Sequence, residues 1–240
     1  MKGSERHRLK ENELSHVLED ATVRLQEHRR TVMLGAGAVL LVLVAGIGYW
    51  AWTKRSANRA QALLGDAIVV MQSPVEETKP GAKPGVTGYP TVQARAEAAL
   101  AKFAEVYNAY PSTDAGIASR YYAASTLALL GRHDEAAARF QETADRAGAN
   151  SFYGRMARLG VVETNTQSKK YDAAITMAQA LVNNTSDDTI PRDALLMELG
   201  RVQAAAGKKA EAKQTLDKVI ADFPGSPYVE EAKRMLAELT

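Results

Sequence analysis

Residues 130–136 read Leu130-Gly131-Arg132-His133-Asp134-Glu135-Ala136, and residues 206–212 read Ala206-Gly207-Lys208-Lys209-Ala210-Glu211-Ala212, with Gly and Ala in one register at an offset of 76. Half of that offset lands on Lys169-Lys170-Tyr171-Asp172-Ala173-Ala174, where Ala174 takes the equivalent place, so the period is 38. A fourth copy of the closing part is Ala99, Phe103, Val106 and Tyr110-Pro111, matching Ala212, Leu216, Val219 and Phe223-Pro224. This is the pattern of a repeated helical hairpin. A small Ala lets two antiparallel helices approach, a bulky residue four positions later plugs the next hairpin, and Pro ends the helix. Gly131 and Gly207 permit the tight turn inside the hairpin.

Working outward from the repeat, helices are expected near 56–72, 92–109, 115–130, 134–147, 152–167, 171–183, 190–206, 209–222 and 227–239, an all-α fold. Composition agrees, because Ala is abundant and aromatic residues make up only 6% of the chain. Such helices pack closely, while strands lack their usual formers. The segment 73–90, SPVEETKPGAKPGVTGYP, carries four Pro and three Gly and cannot hold a continuous helix or a packed strand. The first two helices are therefore expected to form a hairpin interrupted by a loop. The last helix, after Pro224-Gly225-Ser226-Pro227, is expected to cap the stack and supply apolar surface that the final hairpin lacks.

Residues 31–52, TVMLGAGAVLLVLVAGIGYWAW, are 22 residues without a charge, roughly the thickness of a bilayer core at about 1.5 Å per residue. Tyr49, Trp50 and Trp52 followed by Lys54 and Arg55 fit a helix leaving hydrocarbon through an aromatic belt. Beyond Tyr49 there is no small-residue cleavage site, and Thr31-Val32-Met33 after Arg29-Arg30 fits a twin-arginine signal poorly. The segment thus reads as an uncleaved anchor in the lipid bilayer. Arg24, Arg29 and Arg30 on one flank balance Lys54, Arg55 and Arg59 on the other, but the tail 1–30 holds seven Lys+Arg, which favours keeping it in the cytoplasm. That tail carries an a/d-like stripe, Leu14, Leu18, Ala21 and Leu25, on a charged helix too short for a coiled coil. The expected organisation is a cytoplasmic tail at 1–30, the anchor at 31–52, the first helix of the interrupted hairpin at 53–72, the loop at 73–90 and the repeat domain at 91–240.

Chemistry is hard to place on this sequence. Thirty Lys+Arg against 28 Asp+Glu give a formal charge of +2, too even for a nucleic-acid partner. No Cys is present, so thiol catalysis, disulfides and Cys-based zinc sites are excluded. Of the four His, three lie in the tail at spacings that do not stack on a helix face. His133 is read as an exposed turn residue. Neither S-x-x-K, G-x-S-x-G, a P-loop nor G-x-G-x-x-G occurs. Asp187-Asp188 and Glu230-Glu231 are explained by solvation and by the dipole of a helix start. The chain is expected to be no enzyme and to hold no metal or cofactor.

The repeat residues resemble the tetratricopeptide repeat, a 34-residue helix-turn-helix unit lengthened here to 38, over residues 91–240. Departures fall in the middle copy: Lys169 stands where its neighbours have Gly, and Asn165 where a bulky residue is usual. The resemblance implies a right-handed superhelix of about four hairpins with a C-terminal capping helix. It also implies a concave groove lined by the first helix of each pair, placing Tyr121, Ser125, Met156, Leu159, Glu163, Met197 and Arg201 on that side. Tyr122 is an equal candidate for the inward tyrosine. The tail, anchor, Pro/Gly break and degenerate repeats together resemble the bacterial ancillary SecYEG translocon subunits, the YfgM-like proteins. That likeness implies an inner-membrane protein with its N-terminus in the cytoplasm and its repeats in the periplasm, near SecYEG, binding periplasmic chaperones or emerging clients. Coordination of cell division or outer-membrane assembly, or a structural secretion-system or envelope scaffold, are the rival readings.

Overall fold

The computed structural model describes residues 29–75, 88–148, 151–184 and 190–239. The stripe Leu14, Leu18, Ala21 and Leu25, the Asp187-Asp188 pair and most of the Pro/Gly segment lie outside them. The described residues form helices α1 (Arg29–Gln72), α2 (Val92–Ala109), α3 (Asp114–Leu129), α4 (His133–Ala147), α5 (Phe152–Gln167), α6 (Tyr171–Asn183), α7 (Arg192–Ala205), α8 (Lys209–Asp222) and α9 (Val229–Glu238). A single bridge between Val75 and Tyr89 is the one β-type pairing among them. The fold is all-helical, a long apolar helix followed by tetratricopeptide-like hairpins.

The chain divides into two compact units, Met1–Arg55 and Ser56–Thr240. In the first, α1 bares its large apolar side chains from Met33 to Trp52, and its apolar window has a mean hydropathy of 2.0 with nothing buried. By length and composition it suffices to cross a membrane. The Tyr49 and Trp52 rings lie 6.3 Å apart, and the Lys54 ammonium stands 5.9 Å from the Trp50 ring centre.

In the second unit the 38-residue period is written into the backbone. Gly131, Lys169 and Gly207 all sit at positive φ, 73°, 59° and 74°. At each, two amides close the preceding helix in the same way. The Gly131 N–H donates to the Ala128 carbonyl at 3.0 Å and that of Arg132 to Leu127 at 2.9 Å; Lys169 and Lys170 repeat this on Thr166 and Asn165, and Gly207 and Lys208 on Ala204 and Gln203. The other link of the hairpin repeats as well. Thr113 and Ser151 cap α3 and α5 by accepting from the Gly116 and Gly154 amides at 3.0 and 2.9 Å.

Three apolar clusters hold the stack. The first joins Ala60, Leu64 and Ala67 of α1 to Ala99, Phe103 and Val106 of α2 and Ala115, Ala118 and Ala123 of α3. Across the Pro/Gly segment this hairpin is fastened by the Tyr89 N–H on the Pro74 carbonyl at 3.0 Å and Arg95 on the Ser73 carbonyl at 3.1 Å. The second joins Ala124 and Leu127 of α3, Ala136, Phe140 and Ala144 of α4, and Ala157 and Val161 of α5. The third runs from Val162 of α5 through α6, α7 and α8 to Ala232 of α9. Ala136, Ala174 and Ala212, which set the register, are all fully buried. The first two clusters each serve one junction between neighbouring hairpins and the third serves the last two, the arrangement expected of stacked repeats.

Polar groups reinforce the same junctions. Arg120 of α3 is buried, donates to Glu142 of α4 and to the Tyr107 carbonyl of α2, and lies with Arg139 against the Tyr107 ring. Along the turns, Asp134 accepts from Lys170 at 2.9 Å, and Asp172 accepts from Lys208 at 3.0 Å one period later. The hydrogen bonds from Lys170 and Ser168 hold the Asp134 carboxyl below the usual carboxylate range. These pairs are exposed, so they serve alignment more than stability.

Candidate protein-binding groove

Helices α3, α4 and α5 enclose an open cavity of about 380 Å³. Its walls follow from helical periodicity. On α5, Met156, Leu159, Gly160, Glu163, Thr164 and Gln167 recur at three- and four-residue steps and so share one face. On α3, Tyr121, Ser125, Ala128 and Leu129 do the same, while α4 contributes His133 and Phe140. Gly160 is what lets α4 and α5 come this close: a Cβ there would lie 2.7 Å from the Phe140 ring. The floor is thus an aromatic ring with helix backbone laid against it.

Tyr121 anchors one side. Its ring centre is 5.6 Å from those of Phe140 and Tyr153 and 5.7 Å from that of Tyr122. Tyr122 instead stacks on Phe103 at 5.6 Å and packs against the first cluster, so Tyr121 is the tyrosine of the cavity. Burial pushes the Tyr121 phenol above its ordinary range, and the neighbouring Tyr122 and Glu163 add to it. Tyr153 is pushed up to about 12, chiefly by burial and then by its hydrogen bond with Tyr122. Both phenols are therefore neutral near pH 7. The Ser125 hydroxyl donates to the Tyr121 carbonyl at 3.2 Å.

The cavity carries one full charge. Glu163 is exposed, and among the described residues no cation is paired with it. His133, expected as an exposed turn residue, instead opens α4 and lines the cavity, with its Nδ1 buried and lacking a hydrogen-bond partner among the described residues.

Five of the seven residues expected on the groove, Tyr121, Ser125, Met156, Leu159 and Glu163, are brought together here. The other two are elsewhere. Met197 is fully buried in the third cluster, so its side chain is core and meets no solvent. Arg201 is held by Glu231 of α9 at 2.8 Å and by Glu198 at 3.3 Å. The capping helix has taken the place where a third groove position was expected, which also gives Glu231 a partner beyond the helix dipole. Sequence reasoning missed Ala128, Leu129, His133, Phe140, Gly160, Thr164 and Gln167. Of these only Gly160 left a signal, since an unforced Gly inside a helix costs about 1 kcal/mol against Ala and implies a packing reason.

Among curated proteins no match to the chain is found. The family model described as Tetratricopeptide repeat-like domain matches residues 90–228, more than half of the chain. Those residues run from the start of α2 to the start of α9 and contain the repeated turns, the buried alanines and the cavity. On these grounds the chain belongs to the tetratricopeptide repeat-like domain family.

Proposed function

We propose that this protein is a membrane-anchored scaffold that binds other proteins through the cavity of α3, α4 and α5 and catalyses no reaction. The observation supporting this reading is the cavity itself, open to solvent, walled by Tyr121, Phe140, Met156 and Leu159, and built on the first helices of two successive repeats. Tyr and Met suit partner contacts because they offer large or adaptable area with little loss of freedom. Residues 31–52 act as an uncleaved anchor in the inner membrane, with the tail cytoplasmic and the repeats periplasmic. On the resemblance to the YfgM-like translocon subunits, the partners are SecYEG and periplasmic chaperones or emerging clients.

A photo-crosslinking side chain placed at Gln167, which lines the cavity, tests the reading in intact cells. Translocon subunits or periplasmic chaperones are expected among the adducts, and they should vanish when Ser125→Trp fills the cavity. The same adducts from a crosslinker at Asp145, away from the cavity, would remove the site. Division or outer-membrane assembly proteins from Gln167 would replace the translocon assignment. A reporter enzyme fused after Thr240 should be active only outside the cytoplasm; cytoplasmic activity would overturn the topology.

A further inference from the structure

We infer that the cavity accepts a partner segment in which an apolar side chain is followed closely by a Lys or Arg, the apolar group seating against Phe140, Met156 and Leu159 and the cation pairing with Glu163. The inference rests on the cavity being the binding site.

Volume sets the first part. About 380 Å³ is at the lower end of pockets that enclose small ligands, and much of its lining is apolar or aromatic. It holds a large side chain and the backbone beside it, not a whole helix. An apolar group entering it removes the half-buried Met156 and Leu159 from water, the usual source of affinity at such an anchor point.

Charge sets the second part. Glu163 is the one carboxylate on the lining, and no Lys or Arg lines the cavity. One period earlier the same position is Ser125, which is neutral and turned to the Tyr121 carbonyl. One period later it is Arg201, already matched by Glu198 and Glu231. The unbalanced charge of this row of positions is therefore negative and sits at the cavity. An acidic segment would meet Glu163 with no cation to offset it, whereas a basic one supplies the missing partner. The neutral Tyr121 phenol beside Glu163 gives a bound backbone a further hydrogen-bonding group.

The test uses the full chain in lipid nanodiscs and three fluorescent Ala-rich peptides alike except for one pair of residues: Leu-Lys, Leu-Glu or Ala-Lys. Binding is read by anisotropy at low and physiological salt. The Leu-Lys peptide should bind about tenfold more tightly than either other peptide, a difference worth about 1.4 kcal/mol. Glu163→Gln should shrink the Lys-over-Glu preference to less than about threefold and weaken its salt dependence. Glu163→Lys should invert it. An unchanged preference in Glu163→Gln, tighter binding of the Leu-Glu peptide, or no peptide binding below about 1 mM would overturn the inference. Ser125→Trp separates the two failures. If it leaves all binding intact, the cavity is not the site; if it abolishes binding while Glu163→Gln keeps the preference, only the charge argument falls.

Discussion

Replacing Lys169 by Gly is expected to stabilise the repeat domain by about 0.5–1 kcal/mol. The turn between α5 and α6 holds Lys169 at φ 59°, in the region where Gly131 and Gly207 sit one period to either side. For an L-residue with a Cβ that conformation costs roughly 1–2 kcal/mol. Gly removes the cost but gains freedom in the unfolded chain, returning about 0.4–1 kcal/mol. Nothing else is lost, because Lys169 is exposed and its contribution to the turn is an N–H donated to the Thr166 carbonyl, which Gly retains. The measurement is urea denaturation of the full chain in detergent, followed by circular dichroism and repeated on Gly131→Ala and Gly207→Ala, which should lose about 1 kcal/mol each. In thermal melts the Lys169→Gly gain amounts to about 1–4 °C for a domain of this size. Should Lys169→Gly destabilise while both alanine variants remain neutral, the shared left-handed turn would be refuted, and with it the structural basis of the 38-residue register.

Two further outcomes are expected. Gly160→Ala forces its Cβ into the Phe140 ring and should cost about 1–3 kcal/mol by overpacking; adding Phe140→Leu should recover part of the loss, and strictly additive effects would deny the contact. Tyr153, raised to about 12 against an ordinary 10, contributes stability that is complete below pH 10 and is lost as pH rises through 12. Phenolate absorbance should therefore show a late step that Tyr153→Phe removes, and loss of every tyrosine proton by pH 10 would contradict its burial.

The helices and their order were legible because the repeat marks its own turns: Gly131 and Gly207 need positive φ, and Ala136, Ala174 and Ala212 lie where two helices touch. Of the five expected residues that meet at the cavity, four were legible for a related reason, since Tyr121 and Leu159, and Ser125 and Glu163, share a register and α3 and α5 keep the same face toward the cavity. The same register failed at Met197 and Arg201. Periodicity says which face a residue occupies, not which element covers that face, and here α9 covers it through Glu231 and Ala232. His133 and Phe140 escaped because they come from the second helix of a hairpin, whose contribution to the cavity depends on how closely Gly160 lets α5 approach. Lys169 was visible only as a departure from pattern; that it takes the strained turn and does not reshape it could be learned from backbone geometry alone.

The three separate clusters make this domain a row of coupled springs. Among the described residues the first cluster has ten buried apolar residues and the middle one seven, each at one junction, while the third spreads 14 over the two junctions that follow. In such a row each spring takes up part of any bend. An occupant reaching from α3 to α5 spans the middle spring directly, so its arrival stiffens the row there and leaves the outer junctions almost untouched. A bound partner would then be registered less as a change of shape at the cavity than as a change in how freely the two ends of the domain swing against each other, felt furthest away at α9.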